Sequence, residues 1–322
     1  MRKIALEEHF MVPSMIPYWE ATVEDLPEQL YRTVLERLSD FGERRLGAMD
    51  AAGIAISVLS LAGPGVQVEP DAAIAVRRAQ EVNDALAEAI RRHPTRYAGF
   101  AHLPVQDPPA AARELERCVR ELGFKGALIN GQTRGLYLDD PRCFPIWECA
   151  EALRVPIYLH PADPEAPYAG WAGHKILSRA IWGWTVETAT HALRIVFAGI
   201  FDRFPAARLI LGHMGETLPY LLWRLDSRAQ LYKAERPLAL PPSAYIRRNI
   251  LVTTSGQCAA EPLLCALSAL GAERVMFSVD YPFESADVAA RFIDTAPVGE
   301  EVRARICHGN AAELLGLERV EA

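Results

Sequence analysis

The chain is predicted to be an α/β protein built as a (β/α)8 barrel, and three observations lead there. Short apolar, β-branched runs alternate with longer segments whose apolar residues recur at i, i+3 and i+4, the pattern of repeated strand–helix units. Eight such short runs can be counted along the sequence. No G-x-G-x-x-G or phosphate-loop sequence follows an early run, which disfavours the doubly wound open sheet, the other fold that this alternation allows. At 322 residues the length suits one barrel domain spanning residues 1–322.

The strands are expected over residues 4–8, 54–61, 97–103, 126–130, 156–160, 208–213, 250–255 and 275–280. Between them, helices are expected over 71–92, 109–122, 141–153, 186–204, 216–231 and 259–270. Pro108, Pro109 and Pro141 stand at helix starts, where the missing N–H does no harm. The stretch 13–53 is too long for an ordinary strand–helix loop and carries a helical piece at 29–41, so it is read as an N-terminal helical insertion that caps one end. The fifth strand cannot continue past His160, because Pro161 and Pro164 remove ladder donors, and a long loop then runs to Trp184. Residues 237–242 form a local proline-rich loop, and no repeat or linker divides the chain.

Half the residues are apolar, 23% are charged and the net charge is −7, the balance of a soluble protein with a large core. The acidic excess and the lack of any basic stripe argue against nucleic acid as a partner; Arg91 and Arg92 sit in mixed-charge, helix-like sequence. No apolar run reaches the ~18 residues of a membrane span. The six cysteines (Cys118, Cys143, Cys149, Cys258, Cys265 and Cys307) form no C-x-x-C pair and are read as reduced thiols. With no apolar leader after Met1, a cytoplasmic location is expected.

The chemistry-bearing residues gather where strands should end. Glu7 and His9, two apart on a strand, project from one face while Glu8 points away. Alone, this E-x-H would read as a solvated strand end. His160, the His213/Glu216 pair and Asp280 repeat the placement on other strands. Parallel strands deliver their carboxyl ends to one rim, so these residues should converge whatever their separation in sequence. Glu, His and Asp donors can hold a divalent metal and leave a position open for substrate. His93, His102 and His191 are read as structural. His174 lies in the long fifth loop, and His308 is expected to cap the last helix together with Asn310.

The segments A-L-E-E-H-F from Ala5, Y-L-H-P from Tyr158, I-L-G-H-M-G-E from Ile210, L-P-Y-L-L-W-R-L-D from Leu218 and F-S-V-D-Y-P-F-E from Phe277 together resemble the metal-dependent amidohydrolase superfamily. Within it they resemble the nonoxidative benzoate decarboxylases typified by γ-resorcylate and 2,3-dihydroxybenzoate decarboxylases. The resemblance runs from Lys3 to about Leu317. It implies a distorted amidohydrolase-type barrel with Glu7, His9, His160 and Asp280 as ligands to Zn2+ or Mn2+. It also implies His213 and Glu216 as a catalytic pair, Arg224 on the substrate carboxylate, and a homodimer or homotetramer. Asn130, where the binuclear members carry a modified lysine, implies a single metal ion; Lys125 lies at the wrong end of that strand. The expected activity is release of CO2 from a hydroxylated aromatic acid, with Asp280 delivering a proton to the ring carbon. The stretches 131–137 and 162–181 depart from the pattern and leave the ring substituents open. Two alternatives also stay open: a mononuclear hydrolase of a cyclic amide, ester or lactone, and a metal-binding protein without activity.

Overall fold

The computed structural model describes residues 1–23, 26–232 and 236–318. Among the described residues nine parallel strands follow one another: β1 (Lys3–Phe10), β2 (Ile54–Leu61), β3 (Tyr97–Gly99), β4 (Ala101–His102), β5 (Ala127–Asn130), β6 (Ile157–His160), β7 (Leu209–Leu211), β8 (Ile250–Thr253) and β9 (Val275–Met276). They pair in sequence order as β1-β2-β3 and β4 through β9. The expected third strand, 97–103, is therefore two strands. Phe100 donates its N–H to Leu59 O at 2.9 Å and Ala101 donates to Gly126 O at 2.8 Å, so the chain changes neighbour within one residue. The two ends of the sheet meet beyond β9, where Glu8 bridges Tyr281, His9 N–H reaches Tyr281 O at 2.7 Å and Asp280 N–H reaches Glu7 O at 3.0 Å.

Two buried clusters flank the strands. The larger lies between sheet and helices. The smaller gathers Leu6, Val58, Leu128, Ile210, Leu251, Met276 and their neighbours, with contributions from nearly every strand and from the helix Asn310–Leu315. Layers of residues drawn from successive strands are what a barrel interior requires, and this is the (β/α)8 architecture the sequence predicts.

Most expected helices are present with shifted ends. Asp71 caps Ala72–Arg92 by accepting from the N–H groups of Ala73 and Ile74, and Asp107 caps Pro108–Arg120. The expected 186–204 helix is two helices, Gly183–Phe197 and Ile200–Arg203, separated by Gly199 at φ +72°. The insertion contains Glu28–Leu38 and also Glu43–Ala51, which the apolar spacing had not indicated. Its Arg45 is buried against the strand-one end, donating to His9 O at 2.6 Å and lying 4.8 Å over the Tyr281 ring. The expected cap at His308 and Asn310 is not formed. His308 lies inside a π-helical turn, Arg305–Gly309, and the Asn310 amide instead donates to Ala272 O and Val275 O, 2.7 Å each.

β1 is not regular. Ala5 pairs with Ser57 and Glu8 with Leu59, so three steps on β1 oppose two on β2, a β-bulge. Its mark is that two successive amides, Leu6 N–H and Glu7 N–H, both donate to Ser278 Oγ at 2.9 Å. Simple alternation from the inward Ile4 and Leu6 would carry Glu8 inward; the extra residue turns Glu7 and His9 in instead. Glu8 faces away and accepts the Val279 N–H at 2.9 Å.

Candidate metal centre

Glu7, His9, His160 and Asp280 each offer an atom such that all four atoms lie within 4.8 Å of one another. His160 Nε2 is 3.5 Å and His9 Nε2 4.0 Å from Glu7 Oε1, and His9 Nε2 is 3.2 Å from Asp280 Oδ1. Glu7 Oε1, His9 Nε2 and Asp280 Oδ1 are buried without a hydrogen-bond partner among the described residues. Leaving such atoms unmatched costs about 1–3 kcal/mol each, and here three point at one spot. His160 shows how the tautomer is set: its Nδ1 lies 2.8 Å from Pro161 O, so Nδ1 carries the proton and Nε2 keeps the lone pair. Burial, reinforced by His9, also pushes the His160 imidazole well below its usual range, toward the neutral form a ligand needs. Two carboxylates and two neutral imidazoles carry the charge that a divalent ion neutralises, and the donor set suits Zn2+ or Mn2+.

The other half of the site does not lie on strands. β7 stops at Leu211 and β9 at Met276, so His213 and Asp280, both expected at strand ends, stand on the turns that follow. From His213 to Thr217 every residue has positive φ: +50°, +56°, +80°, +53° and +66°. This is one turn of left-handed helix, which costs L residues about 1–2 kcal/mol apiece. It puts His213 Nδ1 2.7 Å from Glu216 Oε1. Nδ1–H donates there, and Nε2 is left facing Asp280 Oδ2 at 3.7 Å and Glu7 Oε1 at 3.8 Å. Burial works to lower the His213 imidazole, but Glu216, Glu7 and Asp280 together hold it well above its ordinary value. Asp280, at φ +78°, shows the converse: burial would raise it, but the neighbouring imidazoles of His213 and His9 hold it below the usual carboxylate range. Glu7 is raised by burial, against the pull of His213 and His9; a cation in the cluster would act in the opposite sense.

Arg224 is not brought into this cluster. It lies exposed on the helix Leu218–Ala229, beside the exposed Tyr220 and Trp223, and makes no ion pair among the described residues. Among the other histidines, His102 accepts the Val66 N–H and His191 the Leu138 N–H, and burial pushes both imidazoles down to about 3. They are structural, as expected. His174 is exposed.

Sequence reading passed over Tyr158 and Ser255, whose hydroxyls donate to Glu7 Oε2, and Thr253, whose hydroxyl lies between theirs. A signal was available: Tyr158 lies two residues before His160, and Thr253 and Ser255 lie two and four beyond the inward Leu251, which is strand parity. Arg45 gave no such signal, because it comes from a separate helix.

An amidohydrolase family profile matches residues 18–317. A γ-resorcylate decarboxylase of Polaromonas sp. (strain JS666) is 42% identical over 334 residues, covering 98% of this chain and 99% of that protein. Two solved structures superpose closely. A 2,6-dihydroxybenzoate decarboxylase complexed with 2,6-dihydroxybenzoate gives a TM-score of 0.93 at 40% identity, covering 98% of this chain and 100% of the other. A dihydroxybenzoic acid decarboxylase from Polaromonas sp. JS666, with bound manganese and the inhibitor 2-nitroresorcinol, gives 0.93 at 42% identity, covering 99% and 98%.

Proposed function

The chain belongs to the amidohydrolase family, and on that premise we propose that Glu7, His9, His160 and Asp280 hold one divalent ion, Mn2+ or Zn2+, with His213 and Glu216 as the catalytic pair beside it. It is a metal-dependent, nonoxidative decarboxylase, a carboxy-lyase that releases CO2 from a hydroxylated aromatic acid. The observation that supports the ligand set is the convergence of three buried, unpaired atoms, Glu7 Oε1, His9 Nε2 and Asp280 Oδ1. The substrate proposed is a benzoate with a hydroxyl on each side of the carboxylate, as in the 2,6-dihydroxybenzoate held by a relative. Hydrolysis of a cyclic amide, ester or lactone, the alternative left open by the ligands alone, gains no support from these decarboxylase relatives.

Decarboxylation breaks the bond between ring and carboxylate, leaves the electron pair on the ring carbon and requires a proton there. A divalent ion supplies Lewis acidity toward the carboxylate and the neighbouring phenolic oxygen. Asp280 has two oxygens with separate surroundings: Oδ1 lies by His9 and the ligand cluster, Oδ2 by His213. That division lets one residue serve as ligand and as acid. Asp280 beside a dication would be ionised at rest, so the proton it gives to the ring carbon is proposed to come from a phenolic O–H of the bound substrate. His213, fixed through Nδ1–H on Glu216, presents Nε2 to hold that phenolic oxygen or pass its proton to Asp280.

Arg224 is proposed, on the family resemblance, to meet the substrate carboxylate; its guanidinium is exposed on the helix Leu218–Ala229. Tyr220 and Trp223, 81% and 78% exposed on the same helix, support a homo-oligomer, dimer or tetramer, that covers them. No helix among the described residues is long and apolar enough to cross a membrane; the six free cysteines support a reducing, cytoplasmic location.

The test is elemental analysis of the purified protein, joined to a spectral screen of hydroxybenzoates for CO2 release. One ion per chain and turnover of a 2,6-dihydroxylated acid are expected, with Arg224→Met raising KM more than it lowers kcat. Two ions per chain, or metal content unchanged in His160→Ala, would sink the four-residue assignment.

A further inference from the structure

The two oxygens of Glu7 have opposite surroundings. Oε1 is unpaired and faces the imidazoles. Oε2 meets two hydroxyls, those of Tyr158 and Ser255. A third hydroxyl, Thr253 Oγ1, lies between them, 2.7 Å from Tyr158 Oη and 3.0 Å from Ser255 Oγ. All of these side chains are fully buried.

Counting protons fixes the direction of the two bonds to Oε2. Ser255 Oγ accepts the His213 backbone N–H at 3.1 Å, so its own single proton is free for Glu7. Thr253 has one proton to give to one of its neighbours, and Tyr158 gives its own to Oε2. Both lone pairs of Oε2 are then occupied by hydroxyl donors, and Oε1 is the one oxygen Glu7 has left to offer. Gly212 adds an independent observation: a Cβ there would stand 2.6 Å from Glu7 Oε2 and 3.0 Å from Ser255 Oγ. Its φ of −70° is open to any residue, so glycine is required at that position for space, to let β7 pass the hydroxyl cluster.

We propose that Tyr158, Thr253 and Ser255 are positioning residues that make Glu7 a single-oxygen metal ligand, and that Ser255, holding Glu7 Oε2 and the His213 N–H together, sets the metal and the catalytic imidazole in one frame. This rests on Glu7 being a metal ligand, as proposed above. Two donors from separate parts of the chain, Tyr158 on β6 and Ser255 in the turn after β8, restrain the carboxylate's rotation about its last bond, so the ligand atom is positioned before the ion arrives. Hydrogen-bond partners of metal ligands commonly affect affinity by about 10–100-fold.

The experiment is competition for Mn2+ between the full-length protein and a fluorescent chelator, with thermal unfolding of the metal-free proteins measured in parallel. Ser255→Ala and Tyr158→Phe should each weaken Mn2+ binding by about 10–100-fold, and Thr253→Val, which removes a hydroxyl that touches only the other two, by less. At saturating Mn2+, Tyr158→Phe should regain most of its kcat, whereas Ser255→Ala should remain impaired because the His213 N–H has lost its acceptor. A purely structural role would lower the unfolding temperature and leave Mn2+ affinity alone. If Ser255→Ala does not fold, Tyr158→Phe, which deletes one oxygen without changing shape, carries the test. Wild-type protein that binds Mn2+ beside variants that bind it equally well overturns the inference alone; wild-type protein that binds no Mn2+ overturns the ligand assignment and the inference with it.

Discussion

The floor and the rim of the site are built by different means. Glu7, His9 and His160 stand on strands, buried, with their ring and carboxylate positions dictated by pleat, bulge and neighbouring hydroxyls. His213, Glu216 and Asp280 stand on turns held at positive φ, and the side chains of His213 and Asp280 are 20% and 16% exposed. Strand backbone is the low-energy arrangement, and on it the floor presents fixed donors. Left-handed backbone is maintained only where its surroundings overdetermine it, and here it aims a histidine and an acid at the place where the proposed mechanism moves a proton. On the proposed assignment three of the four metal ligands lie in the relaxed half and proton transfer in the strained half, with Asp280 serving both, so the two functions should be separable in part.

The largest effect should come from the rim. Asp280→Asn preserves a donor atom for the metal and removes the acid, so the rate should fall by the ~10²–10⁴-fold typical of lost general catalysis, or more, while metal content falls far less. CO2 release and deuterium incorporation at the former carboxylated carbon, measured on fully metallated Asp280→Asn, decide it. Near wild-type rates of both would move the proton donor to His213 and blur the division between floor and rim.

This division also marks what was legible in the sequence. The floor was visible because strands declare themselves by period: Glu7 and His9 two apart, His160 before a proline that stops its strand, and parallel ends that must share a rim. The rim residues were identified, but their placement at strand ends was wrong, since β7 and β9 stop short of His213 and Asp280. Apolar runs continue through Val279, and nothing in apolar spacing distinguishes a pleat from a left-handed turn of similar composition; only Gly215 hints at it. The split of strand 97–103 and the bulge in β1 were invisible for a related reason. Both are set by partners distant in sequence, Gly126 in one case and Ser278 in the other. Arg224 carried a role from resemblance alone, and the fold leaves it on an outer helix.

A smaller effect is expected from the residue that allows the left-handed turn. Gly215 has φ +80°, and a Cβ there would meet Val252 Cγ1 at 2.7 Å. Gly215→Ala should shift His213 and Glu216, and displacement of a positioned group by ~1 Å can cost about 10²-fold in rate. Metal binding, which depends on the floor, should be nearly unchanged. Mn2+ affinity and kcat measured on the same preparation separate the two; parallel losses in both would mean that floor and rim are one unit.

The smallest effect is expected at the bulge, and it tests whether the floor is as self-sufficient as its strand geometry suggests. Ser278 Oγ accepts the N–H groups of both Leu6 and Glu7, and no regular ladder can satisfy two successive amides on one side of a strand. Removing the hydroxyl in Ser278→Ala leaves those two buried donors to find other partners, at a cost of about 1–3 kcal/mol each. Slipping back to regular alternation would turn Glu7 and His9 away from the cluster. That slip is opposed by the hydroxyls on Glu7 Oε2, by the Asp280 N–H on Glu7 O and by Arg45 on His9 O. The bulge should therefore persist, with lower stability to urea and only a modest, severalfold loss of Mn2+ affinity. Should Ser278→Ala instead lose Mn2+ binding as completely as His160→Ala, the bulge hydroxyl, rather than the clamp on the carboxylate, is what turns the metal ligands inward.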